Sequence, residues 1–348
     1  MATGSVKRLW PAVLVTVLVV ALAFFAMGAS RTVIVGCGED LDAVVNADPA
    51  ATATRFQLSG CTYHVDNTVQ PEDGDEIAGP VGTFIMRGPA YDPEPLATIQ
   101  GSATLGQVMK PRGTFHGDWL QIFGGDFDGT AGSGVGLAGG DMDSDSVIYA
   151  TQVANNEGAG VSNFHGLFWR SELTNNTTNP DALGFIGSGL KAVDEVWVGE
   201  SYVHDTQGNG IWCDEECNDQ PLSNGKFTVW YSLIANNGRD GVRWEKVGDE
   251  ATHGQALIYL NEIHGNGVYE RRAGVGVRDA QDITIRDNNF GSATIADVYY
   301  GLNGYAWSAT DSGRTDRPNL YNVDVFYNAN NGDAEKGCQE PASIVVCN

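Results

Sequence analysis

The sequence predicts an all-β protein: a single-domain parallel β-helix that follows an N-terminal export segment. Three observations predict this solenoid. Two kinds of short strand recur along the chain, turns rich in Asn and Gly separate them, and successive copies lie 20–31 residues apart. The 348 residues include 45 glycines, which agrees with frequent tight turns. Because solenoids grow by stacking such units, one domain can reach this length.

Residues 1–30 are predicted to direct the chain out of the cytoplasm. Lys7 and Arg8 precede an apolar run over residues 11–27, and residues 28–30 are small. This order is that of a secretory signal peptide. The run is slightly long for a cleaved signal and slightly short for a membrane span, so the segment is a signal peptide or a membrane anchor. In either case we expect a secreted or cell-surface protein.

Residues 31–75 are predicted to cap the open end of the solenoid. Residues 76–348 would form the β-helix and end in a disulfide-closed C-terminal cap. A cap is expected because an unpaired strand edge promotes aggregation. Near the start of the helix, Ile85–Gly88 is predicted as a strand and residues 89–95, with three prolines, as a loop.

The two strand types define the repeat. One type places a central apolar residue between polar residues before an Asn-rich turn: Phe127, Val153, Leu173, Val203, Ile234, Ile263 and Phe290. The other begins with Gly and continues with an inward aliphatic residue: Val161, Leu190, Ile211, Val242, Val275 and Leu302. Asn side chains at the turns are expected to bond from coil to coil. A β-propeller also repeats Gly-rich strands, but its period of about 40 residues or more is too long.

The charge and the cysteines limit the environment and partners of the chain. A formal net charge of -24 repels nucleic acid and anionic lipid. We therefore expect a soluble monomer that does not bind nucleic acid and that contacts membrane only through residues 1–30, if these are retained. In an exported chain an even number of cysteines indicates disulfides.

We predict that the six cysteines pair locally in sequence. The predicted pairs are Cys37–Cys61, Cys213–Cys217 and Cys338–Cys347. Fifteen connectivities are possible for six cysteines. Metal binding by Cys213 and Cys217 is the alternative, and it is disfavoured because no His stands at metal-site spacing beside them.

Strand alternation places a group of charged and aromatic residues on one outer face of the solenoid. The Gly-led strands would align Lys191, Trp212 and Arg243 in one column, and Asp214, Glu245 and Arg278 in the next. His204 precedes this region and would lie at its rim, whereas Trp244 would point inward. A Trp face can stack on a sugar ring. Each side chain also has a structural explanation, such as a surface ion pair, but unusual ionisable groupings are enriched at functional sites.

Three segments resemble the coils of a known group of proteins. Gly187–Lys191, His204–Cys217 and Gly241–Glu245 are similar to coils of secreted right-handed parallel β-helix repeat proteins of the pectate-lyase-like group. They are most like exported bacterial members without an assigned activity. The resemblance extends from Phe56 to the C-terminus. It implies a right-handed β-helix and a carbohydrate-active role, although one fold carries many functions.

Two classes of function follow for this group of residues. In a polysaccharide hydrolase, Asp214 and Glu245 would act as acid and base, and their separation would decide between retention and inversion. In a lyase, Lys191 or Arg243 would remove a proton, with Ca²⁺ on Asp214 and Glu245 as a possible cofactor. The repetition of the two acids favours the carboxylate-centred mechanism. The alternative is a non-catalytic protein that binds a polysaccharide or cell-surface glycan, or is structural, with Trp212, His204 and Arg278 as contacts.

Overall fold

The chain folds into a parallel β-helix in which each coil contributes up to three short strands. A computed structural model describes residues 31–49, 52–130, 132–184, 187–213, 217, 226–245, 255–268, 273–278, 281–291, 298–301, 321–326, 328–330 and 345–347. Equivalent strands of successive coils pair in parallel and form three faces. The predicted all-β solenoid is confirmed. Residues 1–30 lie outside this description, and no helix within it is long and apolar enough to cross a membrane.

Face A is a ten-stranded parallel sheet. Its strands are β3 (Thr62–Val65), β7 (Ala97–Gly101), β11 (Leu120–Phe123), β15 (Gln152–Ala154), β17 (Glu172–Thr174), β19 (Tyr202–His204), β22 (Leu233–Ala235), β25 (Glu262–His264), β28 (Asn289–Phe290) and β31 (Ala329–Asn330).

Faces B and C are joined in one sheet, because β16 (Val161–Trp169) and β18 (Ser188–Gly199) run from the first face into the second. Face B also contains β8 (Gln107–Met109), β12 (Val135–Ala138), β20 (Asn209–Cys213), β23 (Val242–Glu245), β26 (Val275–Arg278) and β29 (Val298–Gly301). Face C also contains β1 (Arg31–Val35), β2 (Thr54–Leu58), β4 (Glu76–Ala78), β10 (His116–Asp118), β14 (Val147–Tyr149), β21 (Lys226–Trp230), β24 (Gln255–Tyr259), β27 (Gln281–Arg286), β30 (Tyr321–Phe326) and β32 (Val345–Cys347).

Two corners of the coil carry ladders of buried polar side chains. Left-handed residues turn the chain there, among them Tyr231 between faces C and A and Asn236 between faces A and B. At the A–B corner, Asn237 Nδ2 donates to Asn266 Oδ1 at 2.9 Å. At the C–A corner, Asn261 donates to Asn288 at 3.0 Å. The predicted coil-to-coil Asn bonds are confirmed, and they supply partners for backbone groups that the strands leave unpaired at the corners.

The core is filled by the inward residues of all three faces. On face A, the predicted row from Val153 to Phe290 is confirmed by the pairing register. Its first member was wrong, because Ile122 rather than Phe127 pairs with Val153. Phe127 follows Gly124 and Gly125, beyond the end of β11, and packs in a separate small cluster. On face B the residue in register with Val275 is Val298, and Leu302 lies outside the described residues.

The proline-rich loop predicted at residues 89–95 is instead a strand. β5 (Thr83–Arg87) and β6 (Ala90–Glu94) form an antiparallel hairpin, in which Phe84 pairs with Pro93. Proline is tolerated because an edge strand does not need every N–H donor. Ala90 packs against Leu233 and Ala235, so the hairpin lies across face A.

The N-terminal segment combines a short helix with the first coils. Helix α1 (Leu41–Asn46) buries Leu41 and Val45 in the common core, and Asp40 caps its first turn by accepting from the Ala43 N–H at 3.1 Å. β1 and β2 already pair in parallel, so the ladder of face C begins within residues 31–75. A two-stranded sheet of β9 (Arg112–Gly113) and β13 (Asp141–Met142) lies outside the three faces.

Replacement of Asn237 by Ala is expected to destabilise the solenoid. The side chain accepts from the Thr206 N–H and donates to the Val203 carbonyl and to Asn266. Each buried group left without a partner costs about 1–3 kcal/mol, so we expect the free energy of unfolding to fall by at least about 2 kcal/mol. Chemical denaturation would measure the change.

The neighbouring variant Asn236→Gly is the matched control. Asn236 is exposed and left-handed, a conformation that Gly tolerates. Its stability should change by less than about 1 kcal/mol. Equal losses in the two variants would contradict a specific role for the buried ladder.

Candidate functional site

Three of the predicted site residues form a column on face B. Lys191 pairs in register with Trp212, and Trp212 pairs with Arg243. The Lys191 ammonium lies 5.3 Å, and the Arg243 guanidinium carbon 5.4 Å, from the centroid of the Trp212 ring. Because the two cations come from coils on opposite sides of Trp212, they flank the ring from both directions. The predicted column is confirmed, and its members interact by cation–π contacts.

The column is less accessible than strand alternation suggested. Leu190, Ile211 and Val242 point into the core as predicted, so their neighbours point away from it. Yet Lys191 is only 7% exposed and Arg243 only 6%. Trp212 is half-buried between them and is not an open platform. Its assignment as a substrate contact stays a prediction.

Glu245 lies at the end of the same strand as Arg243. The Arg243 Nη2 donates to Glu245 Oε1 at 2.6 Å, and Glu245 is 3% exposed. Residues two apart in a strand lie on the same side, which explains the contact. Trp244, between them, points inward as predicted and stacks on Phe227 with ring centroids 5.5 Å apart. The charge of Arg243 is therefore compensated within its own strand.

Two donors of the column lack a hydrogen-bond partner within the described residues. The Trp212 Nε1 and the Arg243 Nε are both buried from solvent and unsatisfied. Buried polar groups without partners are uncommon, and each costs about 1–3 kcal/mol. An oxygen-rich ligand would supply the missing acceptors.

The second predicted column is described only in part. Glu245 and Arg278 are in register, as predicted, but only the backbone of Arg278 is described. Asp214 lies outside the described residues. The Cys213–Cys217 disulfide beside it is present, as is Cys37–Cys61, so two predicted pairs are confirmed.

The third predicted disulfide and the metal site remain expectations. Cys338 lies outside the described residues, and Cys347 is described only as backbone. No group of three or more His, Cys, Asp or Glu side chains in the described part of the chain could hold a metal ion. Of the two predicted Ca²⁺ ligands, Glu245 is bound to Arg243 and Asp214 is not described.

His204 belongs to a different face from the column. It ends β19 on face A, where its Nε2 lies 2.7 Å from Glu172 Oε1 and its Nδ1 lies 2.7 Å from Asp205 Oδ2. Its ring stacks on Tyr202 at 3.7 Å between centroids. These contacts place His204 on face A, whereas the prediction placed it at the rim of the face B column.

Glu172, which contacts His204, was not predicted from the sequence as a partner of that histidine. It is 4% exposed, and Gln152 from the preceding coil also donates to it. The sequence feature that could have indicated this contact is the position of Glu172 at the polar start of a face A strand, in register with Tyr202. Without the face assignment, nothing in the sequence joined Glu172 to His204.

The carboxylates on both sides of His204 favour its charged form. Burial alone would lower the pKa of His204, but the hydrogen bonds to Glu172 and Asp205 outweigh burial and raise the pKa above its ordinary value. Across the hairpin, burial and the charge of Glu172 raise the pKa of Asp92. The imidazolium thus links two coils of face A through its charge-assisted hydrogen bond to Glu172, and it makes a second such bond to Asp205 within its own coil.

The stabilising effect of His204 is expected to depend on pH. Because its pKa is higher in the folded protein, the contribution is complete below the unfolded-state value of about 6.5 and is lost as pH rises through the folded-state pKa. His204→Gln should therefore lower the melting temperature more at about pH 5.5 than at about pH 9. The exposed His64→Gln on the same face is the control, and an equal loss at both pH values would contradict the charged pair.

Comparisons with known proteins agree with the architecture. The chain matches no family model and no curated protein. The A-module of mannuronan C-5 epimerase AlgE4 from Azotobacter vinelandii is 15% identical, over 87% of this chain and 86% of that chain, with a TM-score of 0.54. An alginate lyase from Paenibacillus sp. is 13% identical, over 91% and 98%, with a TM-score of 0.57.

Pectate lyase Pel9A is also similar in structure. It is 12% identical, over 90% of this chain and 80% of that chain, with a TM-score of 0.53. At such identities the likeness concerns the fold. The chain has the right-handed parallel β-helix fold that these solved structures share.

Proposed function

We propose that this protein is an exported carbohydrate-active enzyme that cleaves an acidic polysaccharide on face B by β-elimination. One observation carries the proposal. Arg243 binds Glu245 through Nη2, while its Nε is buried without a hydrogen-bond partner in the described residues. This guanidinium N–H could donate to a carboxylate oxygen of the substrate, and hydrogen bonds between two charged groups are stronger than those between neutral groups. Lys191, across the Trp212 ring, is the side chain we assign as the base.

The chemistry needs one base and one fixed positive charge. The base removes the proton from the carbon next to the uronate carboxylate. The electron pair of that C–H bond becomes a carbon–carbon double bond, the bond to the leaving sugar oxygen breaks, and that oxygen takes up a proton from water. Negative charge grows on the carboxylate in the first step, so a cation placed there lowers the barrier. Arg243 would supply this charge, and Lys191 in its neutral amine form would accept the proton.

Electrostatics make a positive charge at the site necessary for an acidic substrate. The net charge of -24 opposes the approach of a polyanion. Arg243 offsets part of this repulsion at the site, although its ion pair with Glu245 reduces its charge. The structural neighbours lend support, since their names refer to mannuronan, alginate and pectate, which are uronic-acid polymers. The export segment predicted at residues 1–30 would agree with a substrate outside the cytoplasm.

Hydrolysis by Asp214 and Glu245 is the weaker mechanism for this geometry. Glu245 already accepts a hydrogen bond from Arg243 and is held in an ion pair with it. A carboxylate in this position is poorly placed to exchange protons with a substrate. For the same reason we assign no step to Ca²⁺.

A non-catalytic glycan-binding protein is the second candidate. It is favoured by the mutual compensation of Arg243 and Glu245, which leaves the column held together by internal contacts. Such a protein would use the hydrogen-bond donors of Trp212 and Arg243 to bind the glycan and would not require a base. The two candidates differ in whether loss of Lys191 affects turnover or only binding.

Purified protein should release unsaturated products from alginate or polygalacturonate, and ultraviolet absorbance of the new double bond would report them. Lys191→Ala should lower kcat at least about 100-fold, the usual minimum for removing a general base. Lys226→Ala is the matched control, because Lys226 is exposed on face C and should leave kcat unchanged. Parallel reactions with a chelator would test whether Ca²⁺ takes part.

Other outcomes separate the alternatives. Unchanged turnover in Lys191→Ala would exclude the assigned base. New reducing ends without unsaturated products would indicate hydrolysis, and Glu245→Gln would then abolish turnover while binding remains. Binding of an acidic glycan without any turnover would support the second candidate.

A further inference from the structure

A second surface, on face C, carries a column of aromatic residues that the candidate site does not use. We name as the aromatic stripe the four aromatic residues that the pairing register aligns: Tyr149, Trp169, Trp230 and Tyr259. Asp118 precedes them in the same column and Arg286 follows them. Their chain neighbours Ile148, Phe168, Val229 and Ile258 are buried in the core. The stripe therefore points outward, and its four members are half-buried rather than enclosed.

Gly199 makes the stripe continuous. It stands between Trp169 and Trp230 in the register, where a side chain would interrupt the column. The six-membered ring of Trp230 fills this space, since a Cβ atom at position 199 would lie 2.2 Å from its Cζ2. From Tyr149 to Tyr259 the stripe crosses four coil steps, or about 19 Å at the usual strand spacing.

The hairpin bounds one end of the stripe. Tyr149 and Trp169 lie with centroids 5.3 Å apart, and Phe84 of β5 contacts Tyr149 at 6.1 Å. Phe84 also packs on Trp119 at 4.7 Å. At the other end, the Arg286 guanidinium lies 5.0 Å from the Tyr259 centroid. The stripe thus has defined limits.

Charges along the stripe are locally neutralised. The Arg170 guanidinium lies 4.8 Å from the Trp169 ring and pairs with Glu200 at 2.9 Å. Arg286 pairs with Asp287 at 2.5 Å. Burial, together with the adjacent Glu76, raises the pKa of Asp118 to about 7. The surface therefore offers rings and hydrogen-bonding groups but little net charge.

The column beside the stripe has the same character. It contains Val147, Leu167, Trp197, Thr228, Leu257 and Thr284. These are apolar side chains with two hydroxyl groups, and none is charged. Toward the first coils the column continues with His116, Glu76 and Arg55, of which the last two form an ion pair.

We propose that the aromatic stripe binds a linear, uncharged polysaccharide that lies along the solenoid axis. Sugar rings present an apolar face and a polar rim, which suits aromatic rings flanked by hydrogen-bonding groups. The even spacing of the coils matches a polymer with a regular repeat. A polyanion is disfavoured because the stripe arginines are already paired, and an anionic membrane because the chain itself is acidic. The occupant thus differs from the acidic polymer proposed for face B.

Affinity electrophoresis tests the proposal, with the full protein run through gels containing hydroxyethyl cellulose, arabinoxylan, mixed-linkage glucan or galactomannan. We expect retardation by at least one of these neutral polymers. The double variant Trp230→Ala with Tyr259→Ala should weaken the apparent Kd by about tenfold or more, since aromatic contacts are each worth about 0.5–1.5 kcal/mol. Trp230→Phe should largely restore binding, which a loss of fold would not allow.

Gly199→Val provides a test that keeps every ring. The new side chain would push Trp230 out of its place, so binding should fall although no aromatic residue is removed. Lys191→Ala, on face B, should leave neutral-polymer binding intact, and the stripe variants should leave turnover of the acidic polymer intact. Failure of the function proposed for face B would therefore not affect this result.

Three results would overturn the proposal. The first is the absence of retardation by all four neutral polymers. The second is equal loss of neutral binding in Lys191→Ala, which would place all glycan binding on face B. The third is a change of oligomeric state in the stripe variants, measured by sedimentation, which would show that a second copy of the chain covers the stripe.

Discussion

The buried polar ladders at the corners are the interaction on which the rest of this solenoid depends. Where the chain turns, strand pairing ends and backbone N–H groups would lose their partners. The side chains of Asn237 and Asn261 accept from such N–H groups and donate to the equivalent Asn of the next coil. The ladders therefore fix the register, and a shift of one residue would turn the inward side chains outward. Both outward columns exist because this register is kept.

The two columns show how one backbone pattern supports two surfaces of different character. On face B, successive coils alternate cation, aromatic ring and cation, which concentrates charge around Trp212. On face C, aromatic residues follow one another and the nearby arginines are paired with acids. Because the coils stack at a fixed spacing, outward side chains at the same position of successive coils form a continuous column on the surface. A substitution at one of these outward positions therefore changes the chemistry of the surface and leaves the strand pairing as it is.

Much of the fold was predictable because its signals are local and periodic. Alternation with a period of two assigned Ile211 and Trp244 to the core, and the Gly-led strands aligned Lys191 with Trp212. The near-complete burial of Lys191 could not be predicted, because it depends on what surrounds the face. The link between His204 and Glu172 was likewise hidden, since it needs the order of the faces.

The aromatic stripe has a signal in the sequence. Each member is followed by a left-handed residue and then by Thr, Ser or Asn, as in Trp169-Arg170-Ser171 and Trp230-Tyr231-Ser232. The third residue builds the corner ladder, and the first ends a face C strand. The Gly-led strands do not contain this triplet, because it belongs to a different face of the same coil.

The hairpin of β5 and β6 changes how the solenoid can come apart. In a stacked array each coil contacts only its neighbours, so the ends can unravel one coil at a time. Here Tyr91 donates its N–H to the Glu200 carbonyl at 2.9 Å, and Ala90 packs on Leu233. These contacts join the early coils to coils more than 100 residues further along the chain. The hairpin therefore couples the unfolding of the early coils to that of the later coils. This coupling gives a linear array of coils some of the cooperativity of a globular domain.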